Sequence, residues 1–165
     1  MTTAILCPGP SLADSPAELK VDRLIGVNRA VLKYPCTWWA ALDWQVVDEV
    51  GPACDALLTM RASAESLARR QKLPEHVVES ESLFEYLPPA ATGWTRYSMT
   101  TAIVFAASLG STLIEIYGFD ATSASDWDGG IANAAGHNRG SDRWAAELST
   151  VAGLTRVLNA RGVTL

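Results

Sequence analysis

The 165-residue sequence is poor in several features that would settle its class at once. It has no run of about 18 apolar residues, the length a bilayer crossing needs, so no membrane-spanning helix is expected. Its start has no basic stretch followed by a long apolar one, so no signal peptide is expected there either. The three cysteines, Cys7, Cys36 and Cys54, are odd in number and have no C-x-x-C spacing. That speaks against a disulfide scaffold and sets the expectation of a cytoplasmic protein. Histidine is scarce: His76 and His137 are the two residues of that type. Basic charge is in deficit, with 13 Lys and Arg against 18 Asp and Glu and a net charge of −5. No basic field draws in nucleic acid, and a polyanionic substrate is disfavoured. Internal repeats and low-complexity tracts are also missing.

What the chain does have is apolar residues, 48% of the total against 19% charged. That is the composition of a compact globular protein, and the length suits one domain over 1–165. Apolar runs at Thr3–Cys7, Arg23–Val27, Thr37–Leu42, Ala56–Met60, Val77–Glu79, Leu113–Gly118 and Val163–Leu165 predict strands. Several lack alternation, the pattern of strands buried on both faces of a parallel sheet. Helical patterns lie between them at Asp43–Val50, Ser63–Gln71, Met99–Leu109 and Asp142–Ala160. Ser98 is the expected cap of the third. In the fourth, Trp144, Leu148, Val151, Leu154 and Leu158 are expected to form one core-facing stripe. The alternation predicts a single-domain, Rossmann-like α/β fold, a mostly parallel sheet with helices on both faces. Ser80–Tyr97 and Ala121–Gly140 are expected to be long loops, the second a candidate lid.

The candidate chemistry sits where predicted strands end, because ligands of such sheets bind at the carboxyl ends of the strands. Cys7-Pro8-Gly9-Pro10-Ser11-Leu12 breaks the first strand into a tight turn. Its backbone N–H groups are candidates for cradling phosphate. Asn28 follows the second strand, either stabilising a turn or bonding a ribose or base edge. Arg29 beside it is a surface residue or a phosphate contact. Asp43 follows the third strand as a helix cap, a rim residue of the site, or both. Ser98, Thr100 and Thr101 gather hydroxyls and free N–H groups at a helix start, for capping or for an anion. Gly118 and Asp120 close the sixth strand, Gly118 permitting close approach. Asp126 and Asp128 are either solvated loop residues or ligands of a divalent cation. His137, in Gly136-His137-Asn138, is a candidate general base. His76 is expected on the surface. The adjacent Trp38-Trp39 fits a subunit contact of a homo-oligomer and core packing equally well.

Taken in order, Gly9-Pro10-Ser11-Leu12, Asn28, Asp43, Thr101-Ala102 through Leu109-Gly110, Ile114–Asp120 and Gly136-His137-Asn138 resemble the family 42 sialyltransferases. Similar punctuation occurs in the group that includes the archaeal 6-hydroxymethylpterin pyrophosphokinases. The first resemblance implies an inverting glycosyl transfer from a CMP-sugar to a small-molecule or glycan acceptor, with no metal. It places Gly9, Pro10, Ser11 and Asn28 on the nucleotide, Asp43 near phosphate or sugar, Ser98 near base or ribose, and His137 as general base. The second implies a magnesium-dependent pyrophosphokinase or nucleotide hydrolase, with Asp120, Asp126 and Asp128 on the metal. A third expectation, of another class, is a non-catalytic nucleotide-binding or assembly protein that keeps the fold.

Overall fold

In the computed structural model, residues 1–51, 53–121, 126–128 and 141–165 are described. Six strands, β1 (Thr2–Leu6), β2 (Arg23–Val27), β3 (Trp38–Ala40), β4 (Ala56–Thr59), β5 (His76–Glu79) and β6 (Leu113–Tyr117), form one sheet. Every neighbouring pair is parallel, in the order β5-β4-β3-β2-β1-β6. The chain steps outward from β1 to β5, then returns across one face to lay β6 on the other side of β1. The direction of winding therefore reverses between β1 and β6, which is where ligands of open parallel sheets bind.

Both faces of the sheet are covered, which explains the unbroken apolar runs. Ile5 of β1 and Cys7 just after it face one core cluster and Leu6 another, as the two-residue period of extended chain requires. One face carries α3 (Ser98–Ser108), α4 (Ser141–Asn159) and two 3-10 stretches, Ser80–Tyr86 and Pro89–Arg96. The other carries α1 (Trp44–Val50) and α2 (Arg61–Arg69). In α3 every residue from Ser98 to Ala107 is buried, as an all-round apolar helix should be. Trp39 is fully buried on the α1 side, and Trp38 packs edge-on against Phe105 at 4.7 Å. Core packing thus accounts for the tryptophan pair.

Four expectations change. The Val163–Leu165 strand reduces to one parallel bridge between Leu113 and Thr164. Ser80–Tyr97 is two 3-10 stretches packed on α3 rather than open loop. Ser98 is the first residue of α3, not its cap. The stripe of α4 also turns: Leu148 is 48% exposed and Glu147 is 3% exposed. At 100° per residue, Glu147 falls roughly 15° from the mean direction of Val151, Leu154 and Leu158, and Leu148 roughly 90° away. The helix buries a carboxyl where leucine was expected. Among the described residues, no helix is long and apolar enough to cross a membrane.

Candidate functional site

The floor of the site is a pair of turns bolted together. The Cys7 N–H donates to the Tyr117 carbonyl at 2.7 Å, and the Gly9 N–H to the Gly118 carbonyl at 2.9 Å. Ser11 N–H then donates to the Asp120 carboxylate at 3.0 Å. Gly9 has to be glycine, because a Cβ there would lie 2.5 Å from the Gly118 carbonyl oxygen, which is backbone, and would also strike the Asp120 carboxylate. Leu12 N–H closes on the Gly9 carbonyl, and Pro8 and Pro10 have no N–H to offer. The amides expected to cradle phosphate are therefore engaged within the chain. The first turn contributes shape and support, not an anion nest.

Above these turns lies a cleft of about 350 Å³, within the size range of small-molecule sites. It gathers Gly9, Asn28, Asp43, Ser98, Gly118 and Asp120, each following or facing the end of a strand. Pro10, Ser11 and Thr101 do not line it. The Thr101 hydroxyl is buried and donates to the Thr95 and Tyr97 carbonyls at 3.1 and 2.9 Å. Thr100 likewise donates to the Tyr97 carbonyl at 3.1 Å. Ser98 accepts from the Leu42 N–H at 3.2 Å, tying the start of α3 to the end of β3. Asp43 occupies the cap position of α1 without a side-chain capping bond. Asn28 holds a left-handed φ of 49°, and its carbonyl accepts from Trp39 Nε1 at 2.9 Å. Its Oδ1 is buried and makes no hydrogen bond. His137 lies outside the described residues.

Arg29 is a clamp rather than a phosphate contact. Its Nε lies 3.1 Å from the buried Asp126, its Nη1 3.3 Å from Glu49, and its Nη2 pairs with Asp128. Trp127 N–H donates to the Pro8 carbonyl at 2.7 Å, so residues 126–128 are pinned against the first turn. Asp120, on the Ser11 amide, and the two Arg29-bound aspartates do not meet as a cation site. Among the described residues no three His, Cys, Asp or Glu side chains form a metal-holding group.

The residues that the sequence left unassigned come from α4 and the stretch before α3: Arg96, Tyr97, Arg143, Trp144 and Glu147. Arg143 lies over the Tyr97 and Trp144 rings at 5.7 and 4.9 Å, a cation–π arrangement. Burial raises the Glu147 carboxyl to about 7, against the pull of Arg143. Burial also holds the Cys7 thiol far above its ordinary range, with Glu147 and Asp120 adding to the effect. Cys7 is therefore protonated at neutral pH and is no nucleophile. The signal for Glu147 was legible as a carboxylate at the centre of an apolar helix stripe.

A stability profile follows from Glu147. Its folded-state value lies above the ordinary carboxyl value of the unfolded chain. Below about pH 4.5 both states hold the proton, and the full benefit of a neutral buried carboxyl is present. Stability is lost as pH rises through about 7, by about 3 kcal/mol at most. In calorimetric scans, the Tm of Glu147→Gln should exceed that of the parent by several degrees at pH 8 and converge with it at pH 5. Parallel profiles for the two proteins would exclude a raised Glu147.

Comparison of the chain with family models, curated proteins and solved structures returned no match.

Proposed function

We propose that the cleft between β1 and β6 binds a nucleotide, in first place the CMP part of a CMP-sugar, and that the protein transfers the sugar to an acceptor hydroxyl. The observation that carries this reading is the convergence of Gly9, Asn28, Asp43, Ser98, Gly118 and Asp120 on one cleft at the reversal of the sheet. Tyr97, Phe119 and Trp144 offer aromatic surface for a base, and Arg96 and Arg143 offer positive charge at the rim. The resemblance to the family 42 sialyltransferases supplies the donor class and offers His137 as the proton acceptor. The magnesium-dependent pyrophosphokinase reading is less well supported, because Arg29 already compensates Asp126 and Asp128.

Thermal unfolding with CMP, UMP, ATP and GTP, each with and without Mg²⁺, separates the readings. A ligand at a hundred times its Kd stabilises by about 2.7 kcal/mol, a Tm rise of roughly 5–10 °C for a chain of this size. CMP is expected to produce that rise without metal. A rise with ATP that requires Mg²⁺ would favour pyrophosphoryl transfer instead. No rise with any nucleotide would leave the non-catalytic assembly protein ahead.

A further inference from the structure

Asn28 Oδ1 and Glu147 Oε2, on two residues that line the cleft, are buried and make no hydrogen bond. Glu147 is the stronger case. Its side chain is 4% exposed, and among the described residues its ion-pair partner, Arg143 Nη2, lies 3.8 Å away, too far for a hydrogen bond. Asp126 is as well buried, but it faces the Arg29 guanidinium at 3.1 Å. Asp120 already accepts from the Ser11 amide. A buried carboxyl without a bond is costly, and α4 keeps it at the centre of its apolar stripe, where a leucine would pack at no such cost. Both residues line the same cleft, and a ligand that brings hydroxyl donors there would supply the bond that each oxygen lacks.

We propose that Glu147 is the proton acceptor of the transfer, taking the hydrogen of an alcohol acceptor whose oxygen is held between Asn28 and Glu147. The inference rests on the proposed glycosyl transfer and puts Glu147, in place of His137, as the group that takes its proton. As the acceptor oxygen forms its bond to the anomeric carbon, the bond from that carbon to the phosphate oxygen breaks. The electron pair leaves with the nucleotide, and the hydroxyl proton passes to the Glu147 carboxylate. Among the described residues, the charged and titratable groups around it in the cleft are Cys7 after β1, Asp43 after β3, Arg96 and Tyr97 before α3, Asp120 and Asp126 after β6, and Arg143 on its own helix. Cys7 is neutral, and among the described residues Arg143 is the cation paired with Glu147. A carboxylate short of water and of hydrogen bonds is a stronger base than one at the surface, and its burial places its titration close to neutral pH.

The test uses two readouts on the full chain. The first is ¹³C NMR of protein labelled at the Glu side-chain carboxyls. One resonance should titrate near pH 7, vanish in Glu147→Gln, and shift its midpoint when CMP is added. A Glu147 resonance that titrates near its ordinary value, about 4.3, or that CMP leaves unmoved while raising the Tm, overturns the proposal. The second is release of CMP from CMP-N-acetylneuraminate as a function of pH, in the parent, Glu147→Gln and His137→Ala. Glu147→Gln is expected to lower kcat by about 10²- to 10⁴-fold, with KM changed less than threefold and the limb near pH 7 abolished. If that limb survives in Glu147→Gln and disappears in His137→Ala, the histidine is the base. Absence of any Tm rise with nucleotides overturns the binding itself, whatever the carboxyl titration shows. Nucleotide binding without turnover in the parent overturns the proton-transfer step alone.

Discussion

Replacing Gly118 by alanine should be among the most damaging single changes in the molecule. Its φ of +71° is one that L side chains rarely adopt, and a Cβ would lie 2.2 Å from the Cys7 carbonyl oxygen and 2.7 Å from Leu12 Cβ. The obstruction on one side is backbone, so no side-chain rotation relieves it. The conformational and steric penalties together are expected to remove about 3 kcal/mol or more, a fall in Tm of roughly 6–12 °C. Gly162→Ala separates the two penalties. That glycine has a similar φ of +78° with nothing within 4 Å of the added carbon, so its loss should be about 1 kcal/mol. Equal losses at the two positions would show that the β1 and β6 turns are not pressed together as described.

The second large effect is expected at Arg29. Its guanidinium joins Glu49 of α1 to Asp126 and Asp128, and the Asp126 side chain is 1% exposed. Removing a guanidinium from a buried carboxylate typically costs about 3–5 kcal/mol, and Arg29→Ala should fall at the lower end because Arg29 keeps 17% exposure. The loss should appear first as opening of residues 126–128. Hydrogen exchange of the Trp127 amide, which donates to Pro8, should accelerate about a hundredfold for the first 3 kcal/mol. Arg29→Lys keeps the charge but not the fork that reaches three carboxylates, and should recover part of the protection. Unchanged exchange in Arg29→Ala would mean that the clamp does not hold this segment.

The fold was legible because burial on both sides leaves its mark locally. Arg23–Val27 reads as a strand because Leu24–Val27 is apolar without alternation, and the observed strand has those bounds. The positions of Gly9, Asn28, Asp43, Gly118 and Asp120 were legible for a related reason: each lies within three residues of a strand's end, and strand ends gather at one edge of a parallel sheet. Their partners were not legible. Ser11 and Asp120 lie 109 residues apart, and nothing near Ser11 in sequence shows that its amide is already engaged. Thr101 illustrates the same limit, since a hydroxyl at a helix start serves a carbonyl and an anion from the same position. Glu147 was missed because the apolar members of α4 were picked by type. The angular centre of Val151, Leu154 and Leu158 would have pointed to it.

Most of the candidate site residues gather in one cleft. The first turn, which looked like the phosphate cradle, is the support on which the cleft is built. The groups left to meet a ligand stand around it, on the ends of β2 and β3, the start of α3 and the inner face of α4. The direct measurement is ¹⁵N–¹H NMR of the protein titrated with CMP, UMP, ATP and GTP, with and without Mg²⁺. CMP alone is expected to shift the amides of Asn28, Asp43, Ser98, Gly118 and Glu147 together, with one saturation curve. Shifts that map to another surface, or no shift with any of the four nucleotides, would contradict it.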